Sequence, residues 1–393
     1  MRFPTRPTNG PSGPEGHSPK RRRRILLSTG CLLLLFTPLA LSWISIRILQ
    51  PPASIPPGGR LSWQRDFGDQ SISPEPLTEM HLSPAQGTFI LPEVLSVGDA
   101  VEWEGGWILL DRREGKFHFL HPTQGLTASF GGEGPGPGEL QAPIALALQD
   151  SLLWILNQRG LVIDRYSLDG GFRERRRVYG GGCLVGFAQG LLANPENGLL
   201  LLRVCPASLP GPGTAWIEEI SPDGNLSPIL SLPLGEPGSR QLHFLRQPAM
   251  AFGPDNLFFG TWDAPCIGEF EIHGKLEGYR CLPDYSRPET PAEEKSDLER
   301  RFKRISELGL LPISVPDSLP WFDRIFSTSR GLVVRRLRGE EERDLVLLPK
   351  GRGRSVINHI FPKNTFVGER GILVAQDLFQ GTRIQVFPNP WRQ

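Results

Sequence analysis

The 393-residue chain is nearly neutral, with 43 Lys and Arg against 42 Asp and Glu, but its charge is unevenly distributed. Residues 1–47 hold eight basic residues and one acid, a net +7, so the remainder carries −6. Because nucleic-acid binding needs a basic surface, this acidic remainder excludes nucleic acid as the expected partner. The 45 Gly and 39 Pro residues are typical of many short strands joined by turns.

The first residues predict a membrane-attached protein. Residues 1–24 are expected to form a disordered cytoplasmic tail that ends in a basic block. Residues 25–47 are expected to form a transmembrane signal anchor, because Ile25–Ile46 contains 22 residues without a charge. The positive-inside rule places everything after this anchor outside the cytoplasm, in the periplasm or the extracellular space.

Two alternatives to an uncleaved anchor remain open. Ala40-Leu41-Ser42 is an acceptable cleavage site for a signal peptide, and Cys31 follows a glycine as a lipidated cysteine would. Cleavage would also export the domain. Residues 48–75 form a Pro- and Gly-rich linker that would hold the domain away from the membrane.

Residues 76–393 contain a repeating unit of about 45 residues, the size of a propeller blade. Four of the units have an apolar strand that ends in an acid or its amide, then an alternating strand, as in Trp107–Asp111 followed by Lys116–Leu120. Gly residues at the next turns supply the positive φ of a hairpin. The predicted blades are 96–132, 144–179, 183–233, 248–283, 321–362 and 364–388.

The fold predicted from these repeats is an all-β, six-bladed β-propeller. The sixth blade has three strands in sequence, so its fourth strand is expected from about Leu77–Leu91, ahead of the first blade. This exchange would close the ring and remove unpaired strand edges. A monomeric propeller is expected.

The loop Phe130–Leu140 joins the first two blades. Five Gly and two Pro in eleven residues allow neither a helix nor a regular ladder. With Pro143, this loop resembles the Gly-x-x-Gly-x-Gly-Pro-Gly-Glu joint of NHL-like six-bladed propellers, in their extracytoplasmic bacterial form. The resemblance covers about residues 95–390, and Asp111 and Lys116 fit its repeat spacing. Asn157 and Val162 depart from that spacing in the second blade.

Four cysteines lie in the exported part, where disulfides persist. The favoured pairs are Cys183 with Cys205 and Cys266 with Cys281, because each pair flanks a turn. Four buried free thiols are the alternative.

A helical insertion, 291–308, interrupts the repeats. Thr290-Pro291-Ala292-Glu293 is a capping box, and an apolar stripe including Phe302 makes the helix amphipathic. This helix and the joint loop should share one face, which is the expected binding face. Its candidate residues are Glu133, Gly136, Glu139 and Phe302, while the neighbouring Lys303 is not assigned to it. A helix that only covers apolar blade edges is equally compatible with the pattern.

No catalytic motif is recognisable in the sequence. The most regular polar positions are the acids or amides that end the second strands: Asp111, Asn157, Asp263 and Asp377. Such side chains commonly accept hydrogen bonds from turn N–H groups. They could also form a ring of oxygens that holds Ca²⁺. Arg335, Arg336 and Arg343 are expected on a solvated face, since Glu340–Glu342 neutralise them.

The function predicted from the sequence is a recognition or scaffold module that binds a protein, peptide or glycan, without a cofactor. The alternative is a calcium-dependent hydrolase, lactonase-like enzyme or lyase with its site at the propeller channel. An apolar plug in the channel would leave only the binding function, whereas converging oxygen side chains would favour the enzyme.

Overall fold

The computed structural model describes much of the chain from Thr78 onward. The described residues are 78–160, 162–182, 186–194, 198–205, 213–234, 248–253, 255–261, 266–282, 289–290, 292–293, 295–296, 299–300, 303, 321–337, 342–349, 355–357 and 359–392. The predicted tail, anchor and linker lie outside them and stay predictions. Among the residues described, no helix has the length and apolar character needed to span a membrane.

Two four-stranded antiparallel sheets form the first two blades. The first blade consists of β3 (Val97–Trp103), β4 (Gly106–Asp111), β5 (Lys116–His121) and β6 (Gly125–Gly131). The second consists of β7 (Ala145–Gln149), β8 (Leu152–Asn157), β9 (Val162–Ser167) and β10 (Phe172–Arg177), with a 3-10 turn at Gln158–Gly160.

The third and fourth blades repeat this plan. The third blade consists of β12 (Phe187–Asn194), β13 (Gly198–Cys205), β14 (Gly213–Ile220) and β15 (Asn225–Leu234), and β11 (Tyr179–Gly180) pairs in parallel with β15. The fourth blade consists of β16 (Pro248–Phe252), β17 (Leu257–Thr261), β18 (Cys266–Phe270) and β19 (Leu276–Cys281).

The last two blades both receive strands from the segment before the first blade. The fifth consists of β20 (Phe322–Thr328), β21 (Gly331–Leu337), β22 (Glu342–Pro349) and β23 (Ser355–Ile357), with β24 (Phe361–Pro362) beside β22 and β1 (Thr78–Met80) parallel to β23. The sixth consists of β25 (Thr365–Val367), β26 (Gly371–Leu378), β27 (Gly381–Pro388) and β2 (Gly87–Leu91). A 3-10 turn, Pro390–Arg392, follows.

The period-two pattern of each strand places apolar side chains on both faces of each blade. In β4, Ile108 and Leu110 lie in the apolar cluster shared with the second blade. Trp107 and Leu109, one residue out of phase, lie in the cluster shared with the sixth blade. Six such clusters lie between successive blades around the ring. Because a fully buried Leu or Ile contributes about 1.5–3 kcal/mol, these clusters hold the blades together.

The predicted six-bladed β-propeller is confirmed by this arrangement. The first strand of each blade lies innermost, and contacts join β25 to β3, β3 to β7, β7 to β12, β12 to β16, and β16 to β20. These strands surround the channel. Several residues between Ala292 and Lys303 have helical backbone, but much of 291–308 lies outside the described residues. The amphipathic helix there therefore stays a prediction.

Candidate active site

An ion pair crosses the propeller channel at one end. Asp99, on β3 of the first blade, accepts a hydrogen bond from Arg324 Nη1 through Oδ1 at 2.8 Å. Arg324 lies on β20 of the fifth blade, and the sixth blade separates the two sheets. The second carboxylate oxygen of Asp99 accepts the backbone N–H of Leu146 on β7 at 2.9 Å. One carboxylate thus connects three innermost strands at the channel end where those strands begin.

Arg112 is the second arginine of this group. It follows Asp111 in the turn between β4 and β5, and its Nη2 donates to the carbonyl of Ile144 just before β7. Its side chain lies against Gly98, where a Cβ would overlap Arg112 Cδ and Nε. Glycine at 98 therefore leaves the space that this side chain occupies. We call Asp99, Arg112 and Arg324 the channel cluster.

The channel cluster contains two guanidiniums and one carboxylate. Solvent reaches the Arg112 side chain, yet desolvation lowers the pKa of its guanidinium, while Asp99 raises it and Arg324 lowers it. Arg324 also lies over the ring of Phe366 on β25, 5.0 Å from the ring centroid. This cation–π contact and the Asp99 pair fix the orientation of the guanidinium.

Sequence reasoning did not single out the channel cluster. The available signal was the presence of charged residues inside innermost strands, as in Val97–Trp103 and Phe322–Thr328. Because Asp99 and Arg324 are 225 residues apart, no local pattern relates them.

Asp111, the first predicted metal ligand, organises the turn after its strand. It is fully buried and accepts the backbone N–H groups of Leu95 at 2.6 Å, Arg113 at 2.9 Å and Glu114 at 3.1 Å. Its two oxygens are thereby used in fixing the turn that carries Arg112.

Asn157 and the joint loop belong to one buried hydrogen-bond network. Asn157 Oδ1 accepts the N–H of Gln141 at 2.6 Å, and its amide donates to Asp164 at 2.7 Å. Arg175 pairs with Asp164 at 2.7 Å and donates to the carbonyls of Pro135 and Glu139. The side-chain hydrogen bond to Asp164 raises the pKa of Arg175. Asn157 thus has a structural role in holding the loop.

The other two predicted metal ligands do not join this group. Asp263 lies outside the described residues. Asp377 is exposed and accepts hydrogen bonds from Ser96 Oγ at 3.2 Å and Thr382 Oγ1 at 3.5 Å. In the part of the chain that the structure describes, no three His, Cys, Asp or Glu residues are grouped so that they could hold a metal ion.

The predicted binding-face residues have mainly local contacts. Glu139 accepts the N–H of Gly136 at 2.8 Å, and Glu133 forms an isolated bridge with Leu140. Lys303 is exposed, while Phe302 lies outside the described residues. Both loop acids therefore lie at the joint between the first two blades.

One predicted disulfide is present. Cys266 and Cys281 are directly opposite each other on β18 and β19 and form a disulfide. Cys205 is also disulfide-bonded. Cys183 lies outside the described residues, so its pairing with Cys205 stays a prediction.

The arginines expected on a solvated face are instead buried in the fifth blade. Asp323 pairs with Arg335 at 2.6 Å and Arg343 at 2.8 Å, and Arg336 pairs with Asp344. Burial alone would raise the pKa of Asp323, but the two guanidiniums outweigh it and lower the pKa. The expectation of a solvated face was wrong because Asp323 and Asp344 form buried ion pairs with these arginines within the sheet.

Comparison with known proteins supports the architecture. No family model matches the chain, and no curated protein matches it significantly. A candidate exported protein from Bacteroides fragilis NCTC 9343 is 12% identical, with a TM-score of 0.50 over 80% of this chain and 93% of its own. At this identity the similarity shows the fold alone. The NHL-like assignment is not specifically confirmed.

Two further solved structures have the same low identity of 12%. Regucalcin, a calcium-binding protein from Agrobacterium tumefaciens, has a TM-score of 0.46 over 79% of this chain and 97% of its own. A gluconolactonase from Xanthomonas campestris has a TM-score of 0.47 over 79% of this chain and 94% of its own.

The predicted recognition or scaffold module is corrected by these findings. The solved structures that resemble this chain include a gluconolactonase and a luciferin-regenerating enzyme, so enzymes are found among proteins of similar fold. The structure supplies a physical reason, since the described channel end carries a charged cluster and not the apolar plug that would have left only binding.

Proposed function

We propose that this protein is a hydrolase of small esters, lactones among them, with its active site at the channel cluster. The observation that carries the proposal is the ion pair between Asp99 and Arg324 across the channel, with Arg112 beside it. Ester hydrolysis needs a group that accepts a proton from water and a cation that stabilises the negative charge on the carbonyl oxygen. The channel cluster contains both types of group.

In the proposed reaction, a water oxygen attacks the carbonyl carbon of the ester while Asp99 accepts the proton that the water loses. The guanidiniums of Arg112 and Arg324 donate hydrogen bonds to the oxyanion that forms. The carbonyl re-forms as the bond to the alkoxy oxygen breaks, and the proton held by Asp99 passes to that oxygen. The products are a carboxylic acid and an alcohol, which are one hydroxy acid when the substrate is a lactone.

The described residues do not fit a calcium site at this position. Calcium takes six to eight oxygen ligands. Asp99 supplies the one carboxylate of the channel cluster, which is far fewer oxygen ligands than calcium needs. Two guanidiniums beside it would repel a cation. We therefore derive no catalytic step through calcium.

Turnover of a substrate panel tests this proposal. The full-length protein is assayed by acid release with the neutral compounds glucono-δ-lactone and phenyl acetate and with the carboxylate-bearing D-glucaro-1,4-lactone, with calcium and with a chelator. We expect turnover that falls about 100-fold in Asp99→Asn, because the proton acceptor is lost. Asp150→Asn is the matched control, since Asp150 is exposed in the turn at the far end of β7. No turnover of any compound, or equal turnover in both variants, would refute the proposal.

We also propose that the enzyme works outside the cytoplasm as a monomer held to the membrane by residues 25–47. The disulfide between Cys266 and Cys281 supports this location, because such bonds persist in oxidising compartments. Membrane fractionation with protease protection tests it. Cytoplasmic localisation of the propeller would contradict it.

A further inference from the structure

We infer that the substrate of the proposed hydrolase carries a carboxylate, and that Arg112 and Arg324 bind it. This inference rests on the proposed function, because it assigns the substrate class of the same site. Each guanidinium has five N–H donors, so it can bind this carboxylate with some of them and the oxyanion of the reaction with others. Arg324 uses Nη1 for Asp99, and Arg112 uses Nη2 for the carbonyl of Ile144. Within the described structure their remaining N–H groups have no partner, so donors are available at the channel mouth.

The charge balance of the channel cluster also favours an anion. Two guanidiniums face one carboxylate, which leaves one positive charge. The nearest acids on the same turn are already committed, since Asp111 accepts three backbone N–H groups and Glu114 pairs with Lys116 at 3.3 Å. A monoanion would therefore neutralise the channel cluster.

The positions of the two arginines are fixed before any ligand binds. Arg324 is held between Asp99 and the face of Phe366, and its side chain is 29% exposed. The Arg112 side chain packs against Gly98 and donates a hydrogen bond to the carbonyl of Ile144. Guanidiniums fixed in this way lose little side-chain entropy when a carboxylate binds, and their forked donors match its two oxygens. The expected substrate class is therefore a carboxylate-bearing ester or lactone.

Equilibrium binding tests this inference without requiring turnover. Calorimetry with the full-length protein compares D-glucuronate, D-glucose and glucose 6-phosphate, which share a sugar ring but carry a carboxylate, no charge or a phosphate. Benzoate and benzyl alcohol form a second pair on a different ring. We expect both carboxylates to bind and both neutral partners to bind at least about tenfold more weakly, as loss of a charge-assisted hydrogen bond implies.

Three variants locate the binding. Arg112→Gln removes the guanidinium of Arg112. Gly98→Ala displaces that guanidinium but keeps its charge. Arg113→Gln removes the exposed guanidinium of the adjacent residue. The first two should weaken carboxylate binding about tenfold, and the third should leave it within about twofold. Gly98→Ala keeps the test valid if Arg112→Gln fails to fold.

The possible failures are distinguishable. No carboxylate binding by the wild type, equal binding of the neutral partners, tighter binding of the phosphate, or equal loss in Arg112→Gln and Arg113→Gln would each overturn the inference. Neutral esters hydrolysed in an Asp99-dependent way, without carboxylate binding, would leave the hydrolase standing and refute the substrate class. Carboxylate binding without hydrolysis of any ester would support the carboxylate site and refute the hydrolase.

Discussion

Asp99 and Arg324 form an ion pair at 2.8 Å although their strands belong to blades that are not neighbours in the ring. The pair therefore connects the two blades that flank the sixth blade at the channel wall. Their side chains are 15% and 29% exposed, so the interaction is only partly screened by solvent.

The first prediction concerns the strength of this pair. A double-mutant cycle with Asp99→Ala and Arg324→Ala should give a coupling of about 1–2 kcal/mol in the free energy of unfolding, between the values for exposed and buried pairs. Denaturant unfolding measures it. The exposed pair of Glu271 and Lys275 is the control, and its coupling should be clearly smaller because solvent screens it. Equal coupling for the two pairs would show that the channel pair stabilises the fold no more than a surface ion pair does.

The second prediction concerns Gly98. A methyl group there would overlap the Arg112 side chain, which is flexible and can move away. Gly98→Ala should therefore lower ester hydrolysis about tenfold while changing the free energy of unfolding by less than about 1 kcal/mol. Gly278→Ala is a matched control, because a Cβ there meets nothing within 4 Å. Unchanged hydrolysis in Gly98→Ala would show that the position of the Arg112 side chain does not affect catalysis.

The third prediction concerns the joint loop. Arg175→Met would leave the buried carboxylate of Asp164 without its cationic partner and would release two loop carbonyls. The expected loss is about 3 kcal/mol in the free energy of unfolding. Arg173→Met, at an exposed position on the same strand, should cost about 0.5 kcal/mol or less. A similar small loss in Arg175→Met would contradict the structural role of this network.

The fourth prediction concerns pH and His118. Desolvation lowers the pKa of His118 below its ordinary 6.5, more than the nearby acids Asp111, Glu93 and Glu114 raise it, and Lys116 lowers it further. The folded state therefore binds fewer protons than the unfolded state, and the free energy of unfolding falls as pH decreases through 6.5.

Removing this histidine and its partner should flatten that dependence. His118 Nδ1 lies 2.8 Å from Ser129 Oγ, so His118→Leu with Ser129→Ala replaces both members of the pair. Unfolding curves between pH 5 and 8 should show a smaller slope for this double variant than for the wild type. His273→Asn, at an exposed turn, should keep the wild-type slope. Identical slopes for all three proteins would exclude His118 as the source.

Part of this fold follows directly from local sequence patterns. Alternating apolar residues in Lys116–Leu120 and the glycine turns give strands, and their repetition gives six blades. The segment before the first blade is less regular, and it pairs with both of the last two blades: Thr78–Met80 joins the fifth and Gly87–Leu91 the sixth. The parallel pairing of Thr78–Met80 has no local sequence signal.

The channel cluster could not be derived from spacing. Asp99 and Arg324 meet because the ring brings β3 and β20 to one channel, and Arg112 reaches them from a turn. Asp111 and Asn157 were conspicuous in sequence because turns at the ends of second strands repeat. In the first two blades these side chains accept the N–H groups of the turns or loops that they adjoin.

The value of kcat/KM for ester hydrolysis by the wild type, Arg112→Gln and Arg113→Gln decides whether the channel cluster is an active site. If Arg112 stabilises the oxyanion at the channel mouth, its removal should lower kcat/KM about 100-fold, while removal of the adjacent Arg113 changes it less than about twofold. Equal values for all three proteins would contradict an active site at the channel cluster.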